Sequence, residues 1–83
     1  APDAVFIGGG LDADMFAAIW SRIVPGTRLV AHAVTLETEA LLSDLQQRHG
    51  GELMRVEIAQ AEPLGRYRSW KAARPIVQWS AIR

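Results

Sequence analysis

The stretch with the clearest chemical potential is the glycine run in "VFIGGGLDAD", residues 5–14. Gly8, Gly10 and Ala13 match the small-residue positions of the loose dinucleotide-binding pattern, in which a strand leads through glycines into a helix. Glycine lets the backbone approach a ligand closely. The residues therefore fit a pyrophosphate loop, a loop that lines a ligand site without binding phosphate, or a structural turn with no ligand.

The residues around the glycine run argue against a pyrophosphate site. A dinucleotide fold needs an acidic residue near the end of the next strand to hold a ribose. The nearest one here is Glu37, which falls inside a predicted helix. Asp12 and Asp14 also flank the point where a pyrophosphate would lie, and their carboxylates would repel it. We therefore favour a loop that lines a ligand site, with the structural turn as the alternative.

A second candidate is a basic, aromatic segment in the last quarter of the chain. Residues 63–83 carry five basic side chains and no acidic one, a net charge of +5, whereas residues 1–62 carry four arginines against nine acidic residues, a net charge of −5. The basic segment includes Arg66, Arg68 and Trp70. It is either a solvated charged hairpin or a surface that binds anions.

Length and composition limit the classes of protein. The 83 residues allow one small domain, and 49% of them are apolar, which is rich for a unit of this size. We expect other parts of a longer polypeptide to cover some of that apolar surface. No cysteine is present, so disulfides and thiolate metal sites are excluded. We expect no metal, no membrane span, and a reduced, cytoplasmic setting.

Hydrophobic periodicity and capping residues predict the elements that position these candidates. Asp12 and Thr35 are suitable N-caps, and Gly50 follows the second apolar helix pattern. Residues 63–75 are predicted to be a loop. The predicted strands are residues 4–8, 28–34, 52–61 and 76–82, and the predicted helices are residues 13–23 and 36–49.

The order strand, helix, strand, helix, strand, strand predicts an α/β fold with a mostly parallel sheet. The near-continuous apolar character of residues 28–34 suits a strand that is covered on both faces. The last strand has no helix before it, so it must run antiparallel to its predecessor or lie at an edge. Ligands of such sheets bind beyond the carboxyl ends of the strands. The glycine run, Thr35 and the basic segment all follow strands at that edge.

Three stretches point to a family: "VFIGGG", "GTRLVAHAVTLETEALL" and "AEPLGRYRSWKAARPIVQW". Together they resemble the second half of the decarboxylating methyltransferase domain of the precorrin-6Y methyltransferases of cobalamin biosynthesis. The resemblance implies a Rossmann-like class I methyltransferase fold. Residues 1–83 would be the C-terminal half of a domain dependent on S-adenosylmethionine (SAM), with strands four to seven and an antiparallel last strand.

The resemblance also implies an activity: methylation of a ring carbon of a precorrin, with decarboxylation of an acetate side chain. The main SAM-binding glycine loop and the ribose-binding acid of the family lie outside these residues, so this chain alone is expected to be inactive. No catalytic residue is assigned. The residues expected to contact the cofactor are Gly8, Gly9, Gly10 and Leu11, and those expected to contact the substrate are Thr35, Glu37, Arg66, Arg68 and Trp70.

Simpler interpretations of some residues remain open. Thr35 could be a plain N-cap, and Glu37 an ordinary acid of a first helical turn. His32 stands where the family usually has Asn, so it is either a hydrogen-bonded core residue or a catalytic one.

The implied partners are the precorrin, the rest of the polypeptide and further copies in a homo-oligomer, with no nucleic acid. The alternatives are a small α/β module that binds nucleic acid or another anion through its basic aromatic segment, and a structural fragment without activity. The net acidic charge of residues 1–62 opposes the nucleic-acid alternative.

Overall fold

The computed structural model describes residues 3–83, and residues 1 and 2 of the predicted unit lie outside the described residues. Both predicted helices and the predicted last strand are confirmed, with end points that agree to within one residue. The elements are β1 (Ala4–Ile7), α1 (Ala13–Arg22), β2 (Arg28–Ala33), α2 (Leu36–His49), β3 (Glu52–Val56), β4 (Ala59–Leu64), β5 (Tyr67–Ala72) and β6 (Ile76–Ile82).

The two helices begin at the predicted capping residues. Asp12 accepts a hydrogen bond from the backbone N–H of Met15 at 2.8 Å. Thr35 accepts one from the backbone N–H of Thr38 at 3.2 Å. Each cap satisfies one of the N–H groups that a helix leaves free in its first turn. Helix α2 ends at Gly50, whose φ of +78° favours glycine.

The sheet was predicted to be mostly parallel, but most of its strand pairings are antiparallel. The four-stranded sheet has the order β1-β2-β6-β3. Only β1 and β2 pair in parallel, whereas β6 pairs antiparallel with both β2 and β3. Strands β1, β2 and β3 do run in one direction, as the helical crossovers require. The antiparallel last strand lies between two of them, so two of the three pairings are antiparallel.

The predicted strand over residues 52–61 continues in the main sheet only as far as Val56, and the predicted loop over residues 63–75 is wrong. The chain leaves the main sheet after Val56 and forms a separate two-stranded sheet from β4 and β5. Ile58 and Ala73 close the base of this hairpin through a hydrogen bond from the N–H of Ala73 to the carbonyl of Ile58 at 2.9 Å. The hairpin, residues 58–73, therefore replaces the second part of the predicted strand and most of the predicted loop.

The core lies on one face of the main sheet, where α1 and α2 pack. Trp79 is its largest fully buried side chain, and its indole N–H donates to the carbonyl of Gly50 at 2.8 Å. The opposite face carries no helix within the described residues, and Phe6 there is 64% exposed. The expectation that β2 is covered on both faces therefore does not hold for this part of the chain. The buried core residues are Leu11, Phe16, Leu29, Ala31, Ala33, Leu42, Leu45, Val77, Trp79 and Ala81.

The hairpin projects from this compact body. Every residue of β4 and β5 is exposed. The Cα radius of gyration is 16.1 Å and the longest extent is 55 Å, whereas a compact chain of this length has a radius of about 12 Å. None of the helices in residues 3–83 is both long and apolar enough to cross a membrane.

Candidate functional site

The carboxyl ends of β1, β2 and β3 lie at one edge of the main sheet because the three strands share a direction. The glycine run follows β1, the cap of α2 follows β2, and the hairpin follows β3. Three separate parts of the sequence therefore leave the sheet at the same edge. This edge of an α/β sheet is where ligands bind.

The glycine loop after β1 leaves its backbone open. A Cβ atom added at Gly8, Gly9 or Gly10 would meet nothing within 4 Å. Only Gly10 has a positive φ, +84°, so it alone needs glycine for its conformation. The Leu11 side chain is 3% exposed and belongs to the core, so a ligand could reach Leu11 only through its backbone. The open backbone at Gly8 and Gly9 fits a ligand that needs close approach.

The residues at the start of α2 are partly committed to local structure. The Thr35 hydroxyl caps the helix and also donates to the Thr38 hydroxyl at 3.1 Å. Glu37 is exposed and forms no ion pair within residues 3–83. The simple interpretation of Thr35 as an N-cap is therefore correct. It does not exclude a ligand contact, because a hydroxyl has two acceptor lone pairs.

Sequence reasoning missed Arg55, which lines a small cavity of about 120 Å³ together with Thr35 and Glu39. Its guanidinium pairs with the carboxylate of Glu57 at 2.9 Å, and both side chains are mostly exposed. The register of β3 places Arg55 opposite Val77 of β6. The sequence does indicate that positions 53 and 55 lie on the same face of the strand, because alternate residues of a strand share a face. Only the observed pairing shows which face that is.

The hairpin brings together the basic and aromatic residues predicted from the sequence. Arg66, Arg68 and Trp70 line an open concave surface of about 720 Å³ with parts of Ala61 and Tyr67. Neither arginine forms an ion pair within residues 3–83.

The hairpin register divides these side chains between two faces. Trp70 pairs with Ala61 and Arg68 with Pro63, on one face of the ribbon, whereas Tyr67 pairs with Leu64 on the other. A flat ligand on one face would therefore meet Arg68 and Trp70 but not the ring of Tyr67. Arg66 lies in the turn beside Gly65, whose φ of +61° suits the first position of a type II′ turn.

His32 lies on the helix-free face of the sheet, near the carboxyl end of β2. Its Nε2 atom is 2.8 Å from the side-chain oxygen of Gln78 on β6. Its ring meets the ring of Phe6 edge-on, with centroids 5.0 Å apart. The structure thus supports the hydrogen-bonded interpretation of His32. Gln78 was not singled out from the sequence, because a cross-strand partner depends on the register.

No group of three metal-ligating side chains comes together in residues 3–83. The candidate site is therefore an edge with an open glycine backbone, a capped helix N-terminus and a cationic, aromatic hairpin. Such a surface can hold a flat ligand with carboxylate groups, since arginine forks pair with carboxylates and aromatic rings pack on conjugated rings.

Comparisons with known proteins identify the family. The model of the precorrin methyltransferase domain family matches residues 1–83. A precorrin-6Y C(5,15)-methyltransferase (decarboxylating) from Sinorhizobium is 52% identical over 81 residues, and one from Mycobacterium tuberculosis is 39% identical over 83 residues. These matches cover 95% and 99% of this chain but only 19% and 21% of the relatives.

Solved structures give the same result. The C-terminal domain of precorrin-6Y C5,15-methyltransferase from Rhodobacter capsulatus is 58% identical, with a TM-score of 0.94, and the match covers 99% of this chain and 45% of that one. A precorrin-6Y C5,15-methyltransferase domain from Corynebacterium diphtheriae is 41% identical, with a TM-score of 0.92, covering 99% and 48%. The chain therefore belongs to the precorrin methyltransferase domain family and spans slightly under half of these solved domains.

Proposed function

We propose that residues 1–83 form the C-terminal half of a SAM-dependent methyltransferase domain. That domain would methylate a ring carbon of a precorrin in cobalamin biosynthesis and remove carbon dioxide from an acetate side chain. The observation that carries this proposal is the meeting of the glycine loop, the α2 cap and the basic hairpin at one sheet edge. The family membership supports the methyl-transfer part of it.

The glycine loop is proposed to contact the cofactor. SAM would supply the methyl group from its sulfonium. The backbone of Gly8, Gly9 and Gly10 would lie against it, with Leu11 fixed in the core so that the loop keeps its shape. Methyl transfer to an electron-rich carbon depends mainly on holding donor and acceptor in line, which a rigid loop at a strand end can do.

The substrate is proposed to bind through the other two elements. A precorrin has a flat conjugated ring and many carboxylate side chains. Arg66 and Arg68 would pair with carboxylates, and the Trp70 ring would pack against the macrocycle. Thr35 would turn its O–H from Thr38 to donate to a carboxylate at the N-terminus of α2, where the helix dipole favours a negative group. Glu37, in the first turn of α2, would limit how close a second carboxylate could come.

Further parts of the same polypeptide are proposed to complete the cleft. The helix-free sheet face supports this, because Phe6 and Met54 are exposed there in residues 3–83. A homo-oligomer is also proposed. The support is the hairpin, which exposes both faces, the Tyr67 ring and two free strand edges. Sedimentation of the intact polypeptide tests the oligomer, and a purely monomeric protein would exclude it.

The experiment that tests the substrate role replaces Arg66 and Arg68 together by Gln in the intact polypeptide. A charge-assisted hydrogen bond contributes about 1.5–3 kcal/mol, so tetrapyrrole affinity should fall about tenfold or more for each arginine that contacts a carboxylate. SAM affinity and the melting temperature should stay nearly unchanged, because these arginines form no ion pair within residues 3–83. Calorimetry with each ligand separates the two affinities.

The matched control replaces Arg22 and Arg28 by Gln, which removes two positive charges from α1 and β2 and leaves the hairpin intact. If the control lowers tetrapyrrole affinity as much as the hairpin variant does, the effect is one of net charge. If neither variant lowers it, the hairpin is not part of the substrate site.

A further inference from the structure

A groove between the two helices forms a second concave surface, on the outer side of the helix layer. It has a volume of about 400 Å³, within the range of small-molecule sites. Small residues, among them Ala17, line its α1 side, and α2 packs mainly on β6, β2 and β3. The other lining residues that matter here are Phe16, Trp20, Arg48, His49 and Arg83.

Aromatic rings form the floor of this interhelix groove. The rings of Phe16 and Trp20 stack with centroids 5.2 Å apart and an interplanar angle of 29°. The His49 ring lies 4.9 Å from the Trp20 ring and 5.4 Å from the Phe16 ring. Trp20 is only partly buried. The groove therefore offers a solvent-accessible aromatic surface on which another flat ring can pack.

The rim of the groove is basic. Arg48, His49 and Arg83 line it, and no acidic side chain does. Arg48 pairs with Asp44 of the same helix at 2.9 Å, but both side chains are more than half exposed, so this pair is weak. The Arg83 Nε donates to the carbonyl of Trp20 at 2.8 Å. Its terminal amino groups form no hydrogen bond within residues 3–83 and remain able to bind an anion.

Stabilisation of the helix dipole explains only part of the positive charge on the rim of the groove. Arg48 and His49 stand in the last turn of α2, where a positive group favours the helix dipole. Arg83 belongs to neither helix. It follows β6, and its guanidinium carbon lies 5.0 Å from the centre of the Trp20 ring. These two contacts with Trp20 hold Arg83 and bring a third basic group, from a separate element, to the aromatic floor.

We propose that the interhelix groove binds a small aromatic carboxylate, with its ring on Trp20 and its carboxylate facing Arg83 and His49. The flat apolar floor suits an aromatic ring, and the basic rim suits a carboxylate. The basic rim of the groove lies away from the proposed methyl-transfer site, and the other end of the groove reaches Ala13 at the start of α1. Helix α2 and strand β6 both end at the amino edge of β1, β2 and β3, opposite the edge that carries the glycine loop. The proposal does not depend on the proposed function.

The experiment titrates 1-naphthoate into the intact polypeptide and follows the indole N–H signal of Trp20 by NMR, assigned with Trp20→Phe. A saturable shift is expected for naphthoate and a much weaker one for the neutral analogue 1-naphthalenemethanol. Arg83→Gln should weaken naphthoate binding about tenfold. The matched control is Arg22→Gln, which removes a charge from the last turn of α1 without lining the groove and should leave the affinity unchanged.

A second variant keeps the proposal testable if Arg83→Gln does not fold. Ala17→Leu fills the groove from α1 and should abolish the naphthoate shift while the melting temperature is maintained. The proposal is overturned by any of three results: no saturable Trp20 shift, equal binding of the acid and the alcohol, or undiminished binding by folded Ala17→Leu.

Discussion

The body and the hairpin of this small chain use the same residue types in opposite ways. Trp79 in the body is fully buried, and its N–H donates to the carbonyl of Gly50. Trp70 in the hairpin is 74% exposed, with no hydrogen bond in the described residues. Burying a tryptophan is a major contribution to folding, whereas exposing one gives up that contribution. The comparison indicates that the apolar side chains of the body stabilise the fold, whereas those of the hairpin are available for binding.

The largest expected effect is the difference in stability between the Trp79→Ala and Trp70→Ala variants. Trp79→Ala should destabilise the fold by about 3–5 kcal/mol, because it leaves a large cavity under α1 and α2 and an unpaired carbonyl at Gly50. Trp70→Ala should change the free energy of unfolding by less than about 0.5 kcal/mol. Urea unfolding of the intact polypeptide measures both values.

The activity of these two variants sharpens the comparison. Trp70→Ala should weaken tetrapyrrole binding in a protein of normal stability, and Trp70→Phe should restore part of the affinity. A Trp70→Ala protein that unfolds as easily as Trp79→Ala would mean that the hairpin is packed in the intact molecule, and the proposed division of roles would then be wrong.

The second expected effect concerns two glycines with positive φ. A Cβ at Gly51, φ +90°, would overlap the carbonyl oxygen of Ser80 and lie 2.8 Å from the Cβ of Ala81. Gly51→Ala should therefore cost about 3 kcal/mol of stability, from strain and overlap together. At Gly65, φ +61°, the same atom would meet nothing within 4 Å.

Gly65→Ala should consequently cost only about 1 kcal/mol, confined to the hairpin turn. Hydrogen exchange tests this, since faster exchange should appear in β4 and β5 and leave the main sheet protected. If the main sheet also lost protection in Gly65→Ala, the hairpin and the body would unfold together, and the contrast between them would fail.

The parts of the fold that were predicted from sequence depend on local signals. Asp12 and Thr35 cap their helices as residue type predicts, and the apolar spacing of α1 and α2 places Phe16 and Leu42 in the core. The neighbour order of the strands was not predictable. Nothing local to residues 76–82 shows that β6 inserts between β2 and β3.

The hairpin was missed for a related reason. Residues 52–64 alternate almost continuously, but the chain changes sheets between Val56 and Ala59. Strand β4 pairs with β5. Nothing in the sequence of β5, which contains Arg68 and Trp70, distinguishes this segment from a loop. The same limit applies to the site. Residue types identified Arg66 and Gly8 as candidates, whereas the division of the hairpin into two faces depended on its register.

The smallest expected effect lies where the body meets the proposed site, at Thr35. Its hydroxyl caps α2, and a substrate contact is proposed for it as well. Thr35→Ala removes the cap and should destabilise the protein by about 1 kcal/mol, whatever the residue does for the substrate. Thr35→Asp keeps a capping oxygen and adds a negative charge favourable to the helix N-terminus, so its stability should equal or exceed that of the native protein. That charge would repel a carboxylate of a tetrapyrrole, so affinity for the substrate should fall about tenfold while affinity for SAM is retained. Thermal unfolding and calorimetry on the two variants separate the roles. A Thr35→Asp protein of native stability and native substrate affinity would assign Thr35 to the fold alone and leave the hairpin as the remaining candidate for the carboxylates.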